Sequence, residues 1–152
     1  MRARNLTHVD RVRTNVDGWR KISDRLFSIG PFGVGLDGLL TLIPGVGGAY
    51  GLGVGGYLLT QAWRVRASKA TMAKMAALMG ADFLVGEVPV VGDVFDFLFR
   101  AHARSARILN REIDETHFID DSRAAAEAAG RSTAHHAERA AAGKKRLVYL
   151  RD

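Results

Sequence analysis

Five carboxylates and four arginines are placed where their chemistry needs explaining. Asp37 lies in residues 29–63 and Asp82, Glu87, Asp93 and Asp96 lie in residues 75–99, two segments without a single lysine or arginine. A buried, unpaired carboxylate is costly, so each acid must find a partner, take a proton or stay wet. A hard cation such as Mg²⁺ or Ca²⁺ accepts oxygen ligands of this kind. Capping is the metal-free alternative: Asp93 and Asp96 suit the start of a helix, and Asp37 and Asp82 can accept from free amides of a facing turn. Downstream, Arg100, Arg104, Arg107 and Arg111 recur at spacings of four, three and four, which puts them on one helical face. Such a stripe suits lipid phosphate, nucleic acid or an acidic partner, or is a solvated face near a helix C-terminus. No aromatic residue is interleaved with these arginines, which argues against nucleic acid.

Other chemistries lack their residues. Gly45, Gly47 and Gly48 lead into no Gly-Lys-Ser/Thr sequence, so no phosphate-binding loop is present. The histidines at 8, 102, 117, 135 and 136 show no zincin spacing, and no serine sits in a nucleophile-elbow sequence. His135 and His136 are adjacent and point about 100° apart on a helix, so they cannot chelate one metal from one face. With no cysteine there is no disulfide and no thiolate site. No catalytic residue is expected.

The acids sit on a duplication. Gly35-Leu36-Asp37-Gly38 leading to Ile43-Pro44-Gly45-Val46-Gly47-Gly48 is echoed by Gly80-Ala81-Asp82 leading to Val88-Pro89-Val90-Val91-Gly92-Asp93. Residues 29–60 hold eleven glycines and the single charge of Asp37. They are numerous enough to enter a bilayer, but Pro44 removes a backbone donor and breaks the run into two arms. Each arm is about 22 Å long, short of the roughly 30 Å of hydrocarbon in a bilayer. Both flanks are basic: residues 1–28 carry seven Arg/Lys against three Asp, and residues 64–74 carry four Arg/Lys and no acid. That pattern places both ends on one side of a membrane. A re-entrant hairpin turning at Pro44 fits, with Pro89 and Gly92 marking a second turn. Gly47, Gly51 and Gly55 form a glycine zipper for close helix approach.

The remaining elements frame these hairpins. Residues 1–28 read as a basic amphipathic helix capped at Thr7, with Val9, Val12, Val16, Trp19, Ile22 and Leu26 on one face. That face can rest on the protein's own core or lie in a headgroup layer. No signal peptide is expected, because arginines recur through the opening residues. Ser68 is the expected cap of a helix running to about Val85, with Met72, Met75 and Met79 as packing. Asp121 or Ser122 caps an alanine-rich helix ending near Gly143, and Leu147 to Leu150 dock as a short strand or clip.

Gly35, Asp37, Ile43-Pro44-Gly45-Val46-Gly47, Met75, Asp82, Gly86, Pro89, Gly92-Asp93 and Phe95-Asp96 together resemble the domain of unknown function 4112 family, over roughly residues 24–111. The resemblance implies a small, mostly helical, membrane-associated protein without an assigned activity. The chain departs from that pattern at Gly47-Gly48, where a glycine–aspartate pair is usual, and at Leu78, His102 and Ser105, which replace asparagine-type positions. Any polar or metal network resting on those positions is thinned here.

The resulting expectation is an all-α protein in three stretches: a basic helix over 1–28, a duplicated helical-hairpin core over 29–111, and a polar, Ala-rich extension over 112–152. The expected role is a non-catalytic accessory or scaffold subunit at the cell membrane, its basic flanks and termini cytoplasmic. Its partners would be lipids and either itself or a larger membrane complex. Two alternatives stand beside it. One is a divalent-cation-dependent enzyme or carrier for a phosphorylated lipid-like substrate, with Asp37, Asp82, Asp93 and Asp96 holding the metal and Arg100, Arg104 and Arg107 the phosphate. The other is a soluble helical homo-oligomer.

Overall fold

Asn5 opens the first helix. Its side-chain oxygen accepts from the His8 amide at 3.0 Å, satisfying one of the donors that every helix leaves free at its start. The cap therefore lies two residues before Thr7, and asparagine is the stronger capping residue of the two. A computed structural model describes residues 2–27, 46–86 and 93–152, with side chains over 2–19, 21, 52–80 and 101–152. In these, α1 spans Leu6–Phe27, α2 Val46–Arg64, α3 Lys69–Gly86 and α4 Asp93–Asp114. Strand β1 (Thr116–Ile119), helices α5 (Arg123–Ala128) and α6 (Ser132–Ala141), and strand β2 (Arg146–Tyr149) follow. The protein is mostly helical, with two short strands among the described residues.

Helix α4 touches each of α1, α2 and α3. Its small residues Ala103 and Ala106 and the larger Leu109 and Ile113 follow at helical spacing and are buried. Val9, Val12 and Val16 of α1, Leu58 and Ala62 of α2, and Met75 of α3 close around this face. The apolar face of α1 is thus buried in the protein's own core, with Trp19 against Tyr57 at a 6.0 Å centroid separation. The methionines act as filler: Met75 is buried and Met72 and Met79 pack around it.

Ser68 caps α3 as its sequence suggests, its hydroxyl accepting from the Thr71 amide at 3.2 Å. Ser122 does the same for α5, accepting from Ala125 at 3.2 Å. The single Ala-rich helix expected here is in fact two. Gly130, at φ +68, turns the chain out of α5, and Arg131 donates back to the Ala126 carbonyl at 2.8 Å. This is the six-to-one closure that a left-handed residue after a helix permits. Gly143, at φ +64, ends α6 in the same way.

The two strands run parallel, with Thr116 opposite Arg146 and Ile119 opposite Tyr149. Parallel neighbours need a long crossover, and α5 and α6 provide it. Val148 and Leu150 reach the main hydrophobic cluster, so the C-terminal unit completes the helical core. The Leu147–Leu150 segment is the expected short strand, and its partner β1 lies about thirty residues upstream, beyond the range of any local signal.

Candidate functional site

Most of the sequence-derived site residues fall outside the described residues. Pro44, Pro89, Gly92, Asp37 and Glu87 do, and so do the side chains of Asp82, Asp93, Asp96 and Arg100, and the surroundings of Gly47 and Gly51. Both Pro/Gly turns expected of the repeated hairpins lie outside the described residues. Among the described residues no group of three or more His, Asp or Glu side chains could hold a metal ion.

Gly55 is described, and it is a point of contact between helices. A Cβ placed there would lie 3.1 Å from Met79 Sδ and 3.8 Å from His102 Nε2. The bare backbone of α2 thus lets α3 and α4 come close, which is the role small residues play in tight helix crossings. Gly53 and Gly56 face open space instead. Of the arginine stripe, Arg104 and Arg107 are exposed, Arg107 donating to the Ala103 carbonyl of its own helix at 3.3 Å. Arg111 pairs with Glu115 at 2.9 Å.

Glu112 is a half-buried polar hub that sequence reasoning missed. Its Oε1 accepts from the Ser68 amide at 2.8 Å and its Oε2 from the Thr71 hydroxyl at 2.9 Å, so it reinforces the cap of α3. Arg146 of β2 donates to the same carboxylate and also to the Arg66 carbonyl, the latter at 3.1 Å. Burial works to raise the Glu112 pKa, but the Ser68 amide, the Thr71 hydroxyl and the Arg146 charge together hold it below its ordinary value. These partners lie 34 to 44 residues away along the chain, and no periodicity announces them. Ser105 and Gln61 are buried, and neither Ser105 Oγ nor Gln61 Oε1 finds a partner among the described residues.

A pocket of about 590 Å³ opens beside this hub, walled by Arg2, Arg4, Arg66, Leu150, Arg151 and Asp152. Three segments build it. Ala3 is buried and its amide donates to the Arg64 carbonyl at 2.9 Å, which fastens the residues on either side of it, Arg2 and Arg4. Arg2 also lies over the Trp63 ring, 5.2 Å from its centre. Arg66 sits at φ +55, after the end of α2, where Ala67 donates back to Ala62 at 2.9 Å. Glycine holds the equivalent place after α5 and α6; arginine there bears about 1–2 kcal/mol of left-handed strain. Arg66 Nη2 ties this corner to the Leu150 and Asp152 carbonyls at 3.2 and 2.6 Å. Arg151 pairs with Asp120 at 2.8 Å. The signal for this pocket in the sequence was only a scatter of arginines at both ends of the chain.

No curated protein and no solved structure matches the chain. One family does, the one described as Domain of unknown function (DUF4112), over residues 12–113. The match begins twelve residues earlier than residue 24, the start suggested by the turn motifs. The added stretch holds Val12 and Val16, which α1 contributes to the core. It ends at the last turn of α4, so β1, α5, α6 and β2 lie beyond it. Reaching from α1 to the last turn of α4 and so over most of the chain, this match establishes that the protein belongs to the DUF4112 family.

Proposed function

We propose that the protein is a non-catalytic, membrane-associated accessory or scaffold subunit that packs against itself or a larger membrane complex. The observation that carries this reading is the outward face of α2. Leu52, Gly53, Gly56, Thr60 and Trp63 are all exposed, and none is charged. Leu52 is 62% exposed and Trp63 42%, two large apolar groups that end this uncharged side of the helix. On α3, alanines 70, 73, 76 and 77 and Gly80 are exposed as well, with Lys69 and Lys74 beside them. Among the described residues no helix is long and apolar enough to cross a membrane. The mode of attachment in this reading is therefore a helical face laid against lipid or a partner helix, with the basic flanks on anionic headgroups at the cytoplasmic side.

Fractionation tests the reading. The full-length protein should stay with the membrane pellet after high-salt and carbonate washes. Quantitative release to the supernatant, with a discrete detergent-free oligomer on size exclusion, would favour a soluble assembly that buries the α2 face between copies.

A further inference from the structure

We propose that the pocket walled by Arg2, Arg4, Arg66 and Arg151 is a binding site for a phosphate group, borne by a lipid headgroup or a soluble phosphate ester. All four cations of the wall are arginine, whose planar fork matches phosphate oxygens two at a time. The acid in the wall is Asp152, and its Oδ1 already accepts from the Arg123 amide at 2.7 Å. Asp120 engages Arg151 through its Nε alone. The guanidinium groups of Arg2, over the Trp63 ring, and of Arg4 have no side-chain carboxylate partner among the described residues, and Arg66 commits only Nη2, to the Leu150 carbonyl and a backbone oxygen of Asp152. Four arginines against the one side-chain carboxylate of Asp152 leave the wall with an excess of positive charge, which an anion held there would offset.

Two features show that the convergence is built. The Ala3 clamp fixes the segment carrying Arg2 and Arg4, and the left-handed backbone at Arg66 is a strain that a glycine would avoid. The volume of about 590 Å³ exceeds what a bare phosphate needs and leaves room for a larger group attached to it. Arg2, Arg4 and Arg151 lie outside residues 12–113, so this site is largely an addition to the family domain. The assignment does not depend on the membrane reading.

The test has two arms on the full-length protein. Calorimetry with inorganic pyrophosphate probes a soluble ligand. Co-sedimentation with phosphatidylcholine vesicles, with and without phosphatidic acid, probes a headgroup. The Arg2→Ala/Arg4→Ala double variant, at two exposed positions, should weaken binding at least about tenfold in whichever arm responds, since each lost fork removes charge-assisted hydrogen bonds. Arg151→Gln, which leaves the N-terminal segment intact, should also weaken it. The Arg104→Ala/Arg107→Ala variant, exposed but outside the pocket, should bind like wild type. Binding in neither arm, or equal losses in pocket and control variants, would overturn the assignment. Carbonate-resistant membrane retention with binding in neither arm would remove this site and leave the membrane reading standing. Pocket-dependent pyrophosphate binding by a protein that washes off membranes would do the reverse.

Discussion

Gly55 and Met79 meet where α2 crosses α3, with the Met79 sulfur 3.1 Å from the place a Cβ on Gly55 would take. A side chain larger than methyl has no room there without moving methionine and the imidazole of His102 behind it. Gly55→Leu should therefore lower stability by about 1–3 kcal/mol in a denaturant melt, the usual cost of overpacking. Gly53→Ala, two residues away and facing open space, should raise it by about 0.5–1 kcal/mol through helix propensity alone. Equal effects at both positions would mean that the glycines serve no packing role.

Glu112 gives the protein a pH signature. Its carboxyl is held below the ordinary value of 4.5, so in acid the unfolded chain binds a proton that the native state resists. Its stabilising contribution is complete above 4.5 and declines as pH falls below it. Glu112→Gln should flatten the acid limb of a stability–pH curve. At neutral pH the same change should cost about 1.5–3 kcal/mol, because the Ser68 amide and Arg146 lose a charged acceptor. An unchanged acid limb would assign the acid sensitivity to other carboxylates.

Leu150 is fully buried against the helical core although it lies beyond the family domain. Leu150→Ala should destabilise the whole protein by about 2–5 kcal/mol in a single transition. Leu147→Ala, at a half-buried position, should cost less. A melt in which Leu150→Ala loosens only the C-terminal unit would show that the helical core stands without it.

The exposed face of α2 can be charged without disturbing the core. Leu52→Lys with Gly56→Lys should leave the melting temperature within a few degrees of wild type, since both positions are exposed. The same pair should shift the protein from the membrane pellet to the carbonate supernatant.

What the sequence made legible was local. The serine caps at 68 and 122, the methionine stripe and the end of the last helix at Gly143 each depend on residues within one or two turns. The cap at Asn5 was missed because Thr7 and Asp10 imitate a capping box two residues later. The break at Gly130 was missed because a lone glycine in an alanine-rich run does not reveal its φ. Glu112, Arg66 and the arginine pocket were hidden for another reason. Their partners lie 29 to 86 residues away, and such pairings leave no period in the chain.

The parallel clip of β1 and β2 also orders events during synthesis. Val148 and Leu150 are made after every helix they rest against, so a nascent chain already holding α1 through α4 carries an open apolar seam. Until translation delivers the last strand, that seam is an adhesive surface, and a chaperone or a lipid face is what would shield it.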